Sequence, residues 1–165
     1  MIFQLENGGD VDVVNHTNHI LIQHPDTKIY VGCDSQNKKR GCIYATVIAY
    51  RFTYGAEGVR KGARYIYKKE WVDKIKDKFT RLQGEVFKSV ELALWLREKG
   101  FEVHKIDLDF NHKQSAGSHN MVSFGTGYCK AYGFDATCKP EEQIASRAGD
   151  HIVKKKGSRR KHRRK

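Results

Sequence analysis

No stretch of the 165 residues approaches the ~20 consecutive apolar side chains of a membrane-spanning helix, so no membrane association is expected. The first residues, Met1-Ile2-Phe3-Gln4-Leu5-Glu6, lack the basic and apolar lead of a secretory signal. Cysteine is sparse. Cys33, Cys42, Cys129 and Cys138 form no Cys-x-x-Cys pair, which removes the usual spacing of zinc ribbons and thioredoxin-like sites. Cys33 and Cys42 fall inside strand-like runs, where a free thiol packs as a small hydrophobe. Together these absences predict a reduced, cytoplasmic chain. Acids are missing from residues 154–165, which hold nine Lys or Arg. Setting that segment aside takes the basic count from 31 to 22, against 19 acids, and the net charge from +12 to +3.

What is present fits one folded domain over residues 1–153 and a disordered basic tail over 154–165. The chain is 39% hydrophobic and 11% aromatic, enough to close one core. The tail cannot bury apolar surface, and a polycation gains affinity for nucleic acid through counterion release. Lys154, Lys155, Lys156, Arg159 and Arg160 are therefore candidate substrate contacts. A localisation signal or a solubilising tail gives the same composition.

Residues 28–34 end in Ile29-Tyr30-Val31-Gly32-Cys33-Asp34, a strand pattern that lands on an acid, with Ser35 and Gln36 behind it. Upstream, residues 1–26 alternate polar clusters with short apolar pieces and give no clear element. His16, His19 and His24 stand there without a matching cysteine or acid cluster, so structural zinc is not expected. Residues 42–52 are apolar on both faces, as in a central strand. Residues 54–62 read as a loop and residues 63–71 as a third strand with one wetter face. Helical spacing of Phe79, Leu82, Val86, Val90, Ala93 and Leu94 then predicts a helix from about 74 to 99, stopped by Gly100. Glu85 falls on the flank of its apolar arc and Glu91 on its polar side. Residues 102–110 return to period two, with Val103, Lys105, Asp107 and Asp109 on one face. A loop over 111–117, a helix over 118–132, a short strand over 134–139 and a last helix over 141–153 complete the order. Asp150 lies on that last helix.

The order β-β-β-α-β-α-β-α, with acids at Asp34, Glu85, Asp109 and Asp150, resembles the ribonuclease H-like fold, an α/β five-stranded mixed sheet with helices on both faces. Within that superfamily the chain resembles the YkuK-like group of predicted nucleases. The residues that carry the likeness are Gly32-Cys33-Asp34-Ser35-Gln36, Glu85 with Ser89, Asp107-Leu108-Asp109-Phe110-Asn111, Gly133-Phe134 with Lys139-Pro140, and Ala148-Gly149-Asp150. Asp107 departs from the pattern, standing where a histidine is expected, so either Asp107 or Asp109 can be the acid of the fourth strand.

The resemblance implies a nuclease, and the chemistry of the acids agrees. Converging carboxylates raise one another's pKa unless divalent cations neutralise them, and hard oxygen donors suit two Mg²⁺ or Mn²⁺ ions. Asp34 is expected to bridge the ions, with Glu85 and Asp109 on one and Asp150 on the other. Ser35 and Gln36 would read sugar hydroxyls or amides near the cut, or simply close a turn. His151 beside Asp150 could assist product release. The expected activity is hydrolysis of phosphodiester bonds in RNA, in a hybrid with DNA or in structured form. The alternatives are an inactive nucleic-acid-binding relative and a junction-cutting DNA endonuclease. The strand of Asp34 should be central, flanked by the second and fourth strands, with all four carboxylates in one pocket. Glu85 on the far side of the sheet from Asp34 would end the nuclease reading as stated.

Overall fold

The computed structural model describes residues 1–52, 62–111, 119–141 and 143–154. Its elements are β1 (Ile2–Leu5), β2 (Asp10–Asp12), α1 (Val13–Gln23), β3 (Lys28–Lys38), β4 (Gly41–Arg51), β5 (Ala63–Val72), α2 (Lys78–Glu98), β6 (Val103–Asn111), α3 (His119–Ala131), β7 (Ala136–Lys139) and α4 (Ala145–Lys154). The expected loops at 54–62 and 111–117 fall largely outside the described residues, as do Lys155, Lys156, Arg159 and Arg160. Lys154 closes α4 rather than opening a tail.

The seven strands form one mixed sheet in the order β2-β1-β5-β4-β3-β6-β7. β3 pairs antiparallel with β4 on one side and parallel with β6 on the other, so the strand of Asp34 is central and has the neighbours expected of it. Two strands more than the expected five are present. β1 pairs with β5 and β2 with β1, extending the far edge. At four and three residues these strands are too short for alternation to register in the sequence. α1 is hidden for a different reason. One of its core positions is Thr17, whose hydroxyl donates to the Val13 carbonyl at 2.7 Å and meets the Tyr50 hydroxyl at 2.8 Å. A polar residue satisfied in this way breaks the apolar stripe without costing burial.

α2 begins where Asp77 caps the Thr80 amide at 2.7 Å, and Gly100 ends it in the left-handed region at φ +86°. Its buried arc runs through Leu82, Glu85, Val86, Ser89, Val90, Ala93 and Leu96. With α1 and α3 it covers one face of the sheet, closing on Val31, Ile48, Ile66, Ile106 and Leu108. α4 lies on the other face, where Ala145, Ile152 and Val153 pack on Tyr30, Ile43, Ala45, Val47 and Ala49. Strand alternation thus sends Val31, Ser35 and Tyr44 toward α2. It sends Gly32, Asp34 and Ala45 toward α4.

Candidate active site

β3 is longer than residues 28–34, and Asp34 lies inside it, opposite Ala45. On its other side the parallel ladder with β6 ends at Gly32 opposite Asp107. Two residues on, Asp34 and Asp109 remain on the same face with no ladder between them. α4 crosses that face at close range through two glycines. A Cβ at Gly32 would stand 3.1 Å from the Ala145 Cβ and the Ser146 amide; a Cβ at Gly149 would stand 3.1 Å from the Asp34 Cβ. Gly149 so places the next residue, Asp150, beside Asp34.

These three aspartates form one electrostatic group. Asp34 is 8% exposed, and its carboxyl is pushed up to about 6. Burial is the main cause; the Ser35 amide opposes it, and the negative charges of Asp109 and Asp150 add to it. Lys154 Nζ answers Asp150 at 2.7 and 2.8 Å and also senses Asp34 and Asp109. Lys139 Nζ is ion-paired with Asp109 Oδ1. That oxygen is buried, and its approach to Lys139 lacks the alignment of a hydrogen bond.

Glu85 belongs to the opposite layer. It is 2% exposed on the α2 side, where the Ser35 hydroxyl donates to its Oε1 at 2.5 Å. Arg81 Nη1 donates to the Ser35 carbonyl at 2.7 Å and contacts the Ser35 hydroxyl at 2.5 Å, leaving a long 3.4 Å approach to Glu85. Because that guanidinium nitrogen is spent on Ser35, burial prevails over the ion pair. The Glu85 carboxyl is pushed up to about 8, with the charges of Asp34 and Asp109 adding to the effect. The structure therefore brings together Asp34, Asp109 and Asp150. The expected single pocket of four carboxylates is not found. Alternation along β3 turns Ser35, and Glu85 of α2 with it, to the face opposite Asp34. The four-acid site therefore does not stand, although the Glu85 carboxyl still senses the charges of Asp34 and Asp109. Gln36 stays on the Asp34 face, accepting from Lys38 Nζ, and His151 is exposed on α4.

The two acids of β6 have different partners. Asp107 is fully buried and accepts from the Ile144 and Ala145 amides, each at 2.7 Å, and from the Thr137 hydroxyl at 2.8 Å. Those amides are orphan donors at the start of α4. Asp107 thus anchors the helix that carries Asp150, while Asp109 faces Asp34. Gln143 reinforces the anchor by donating to the Leu108 carbonyl at 2.6 Å. Sequence reasoning does not single out Arg81, Thr137 or Gln143, and Lys139 enters it only as part of the Lys139-Pro140 likeness. For Arg81 a signal exists, the i,i+4 spacing to Glu85.

As a cation site the group is incomplete. Among the described residues no three His, Cys, Asp or Glu side chains are placed to grip one ion together. The donors nonetheless fit a hard divalent cation: carboxylate oxygens whose charges bear on Asp34, with the buried Asp109 Oδ1 lacking a hydrogen bond. A model of the family described as ribonuclease H-like matches residues 12–154. Neither the curated proteins nor the solved structures return a match.

Proposed function

The chain belongs to the ribonuclease H-like family, and from that premise we propose that it is a divalent-metal-dependent nuclease. The observation that carries the reading is the convergence of Asp34, Asp109 and Asp150 on one sheet face, each charge raising the cost of the next at Asp34. Asp34, Asp109 and Asp150 would hold Mg²⁺ or Mn²⁺, and Glu85 would contribute from the opposite face. Two such ions supply a water of lowered pKa and a sink for charge on the leaving oxygen. The chain's own part is to assemble the oxygen donors and keep them poised. Lys139 and Lys154 neutralise Asp109 and Asp150 in the free protein, and with a cation held by the aspartates both ammonium groups would be available to substrate phosphates. Asp107 holds α4, and with it Asp150, at the working distance. The basic residues 155–165 add affinity for RNA, or for an RNA/DNA hybrid, without reading sequence.

A second reading rests on the same lysines. If Lys139 and Lys154 are the permanent counter-ions of the aspartates, the protein binds nucleic acid without cutting it. A panel of labelled hybrid, single-stranded RNA, duplex RNA and four-way DNA junction, each with Mg²⁺, Mn²⁺ or EDTA, decides between them. The nuclease reading expects metal-dependent cleavage of at least one substrate, abolished in Asp34→Asn. No cleavage of any substrate with either metal overturns it, and cleavage confined to the junction moves the substrate to DNA.

A further inference from the structure

Among the described residues, the face of the sheet that carries the aspartates is only partly covered. α4 lies over β3 and β4 and only grazes β5. Alternation along β5 puts Tyr65, Tyr67, Lys69 and Trp71 on this face, because Glu70 points the other way to pair with Lys88 at 2.8 Å on α2. Tyr65 and Tyr67 are half-buried against the edge of the α4 core. Trp71 is 60% exposed, and Ile2 of the neighbouring β1 is 56% exposed. One exposed hydrophobe needs no explanation, but Trp71 and Ile2 share this face on neighbouring strands, and an exposed apolar patch of that kind marks an interaction site.

Register ties these side chains to the aspartates. Lys69 pairs with Ala45, which pairs with Asp34; Trp71 pairs with Ile43, which pairs with Gln36. Lys69 is thus two strands from Asp34 on one line across the sheet, ~10 Å at the usual strand spacing. The surroundings are cationic. Lys69 Nζ lies 5.4 Å from the Tyr67 ring centroid. Lys38 Nζ, on the same face, donates to the Val153 carbonyl at 2.7 Å. The exposed Lys39 and Arg40 form the turn into Gly41, whose Cβ position lies 3.6 Å from the Trp71 ring. Aromatic rings standing among cations on an open surface suit a polyanion with exposed π-faces.

We propose that the uncovered face of β5 is a platform for a single strand of nucleic acid, with unpaired bases stacked on Trp71 and Tyr67 and phosphates held by Lys69. A duplex hides its base faces and cannot use the rings. The platform would feed an unpaired strand across β4 to Asp34, and in that respect alone the inference rests on the nuclease reading.

The test separates binding from cutting. Trp95→Phe makes Trp71 the sole tryptophan of two, so its fluorescence reports the platform directly. The full chain is titrated with oligo(rU), oligo(dT), the corresponding duplexes and inorganic polyphosphate, at a salt concentration that suppresses weak binding by residues 155–165. Single strands should quench Trp71 and bind more tightly than duplexes, while polyphosphate leaves the indole unquenched. Trp71→Ala should weaken single-strand binding ~5- to 150-fold, the span of one stacked base, and Trp71→Phe should restore most of it. Lys69→Ala should flatten the salt slope by about 0.7, the share of a single neutralised phosphate. Asp34→Asn should keep all of this binding, so loss of cleavage and loss of the platform are told apart. Unchanged single-strand affinity in a folded Trp71→Ala overturns the proposal. So does equal quenching by duplex, or a concentration-dependent dimer that Trp71→Ala abolishes, since a second copy would then be the occupant.

Discussion

The two faces of β3 differ in what covers them, and the difference separates structure from chemistry. Toward α2, the strand presents Val31, Cys33 and Ser35 to a closed layer. Even the polar groups there are locked to one another, Ser35 to Glu85 and Arg81 to Ser35. Toward α4, the same strand presents Gly32 and Asp34 to one ten-residue helix held close by glycine contacts. There the like charges stay near one another, a buried Asp109 oxygen lacks a hydrogen bond, and an indole stands in solvent. On the first face Ser35, Glu85 and Arg81 are explained by one another, and the one orphaned oxygen described there, Asn37 Oδ1, lies toward the end of the strand away from the acids. On the second face the partners do not suffice, and a ligand is the simplest completion.

The largest effect expected from breaking this contrast is on cleavage. Asp34→Asn and Asp109→Asn keep shape and remove a charge that a divalent cation needs. Turnover with Mg²⁺ or Mn²⁺ should fall by orders of magnitude while nucleic-acid binding persists. Thermal stability in EDTA should not fall, because each change relieves like-charge repulsion. A variant that still cuts at the wild-type rate removes that aspartate from the site.

Glu85→Gln probes the closed face. Its carboxyl is pushed up to about 8, so near neutral pH the free protein already holds it mostly protonated and glutamine is a close replacement. Stability near neutral pH should rise, because the unfolded chain no longer gains from releasing a proton that the folded state retains. Cleavage should fall ~10- to 100-fold, the effect of removing a group that supports a metal site from outside its immediate ligands. A loss as large as that of Asp34→Asn places Glu85 among the ligands; no loss confines it to the Ser35–Arg81 cluster. Glu91→Gln, exposed on the same helix, is the control and should leave rate and stability unchanged.

Asp107→Asn compares the two acids of one strand. Both α4 amides converge on one carboxylate oxygen, which an amide oxygen replaces only as a neutral and weaker acceptor. The Thr137 hydroxyl on the other oxygen must turn from donor to acceptor. Unfolding in urea should show a loss of roughly 2–3 kcal/mol. Asp109→Asn should show none, although the residues are two apart on the same face. Equal destabilisation by both would dissolve the distinction between anchor and site.

That distinction marks how far the sequence can be read. Period two places Asp107 and Asp109 on one face, and the order of elements puts the Asp34 strand between its two neighbours. Alternation also implies that Ser35 and Asp34 part company, yet the polar run after Asp34 reads as a strand end, where both side chains could turn to the same site. The strand runs on to Lys38 instead. Glu85 reads as a flank residue, since helical spacing gives the angle around an axis and not the depth of the layer pressed against it. Asp107 cannot be told from Asp109 in the sequence because the amides it serves lie 37 and 38 residues away. β1, β2 and α1 escape through brevity and a satisfied threonine. Trp71 reads as one residue of a wetter strand face; only the placement of α4 shows that nothing described lies over it.

The smallest effect, and the one that measures the charge burden of the open face directly, is on stability against pH. Asp34 is pushed up to about 6 from an ordinary 3.8, and Glu85 to about 8 from 4.5. Both therefore hold protons in the folded state that the unfolded chain has already released. Their contribution is fully present below about pH 4 and is lost as pH rises, through about 6 for Asp34 and about 8 for Glu85. His16 and His104, lowered mainly by burial, work in the opposite direction up to their ordinary 6.5. The net loss should therefore be clearest between pH 6.5 and 8, where Glu85 titrates and the histidines no longer do. In EDTA the melting temperature should decline across that window, and Glu85→Gln should flatten the decline. Asp34→Asn should remove the part that falls between pH 4 and 6. Mg²⁺ or Mn²⁺ binds the deprotonated carboxylates and should offset the decline, with a larger stabilisation at pH 8 than at pH 5. A melting temperature that rises steadily from pH 6.5 to 8 in EDTA, or a metal effect independent of pH, would mean that these carboxyls are already satisfied. The open face would then be as self-sufficient as the closed one.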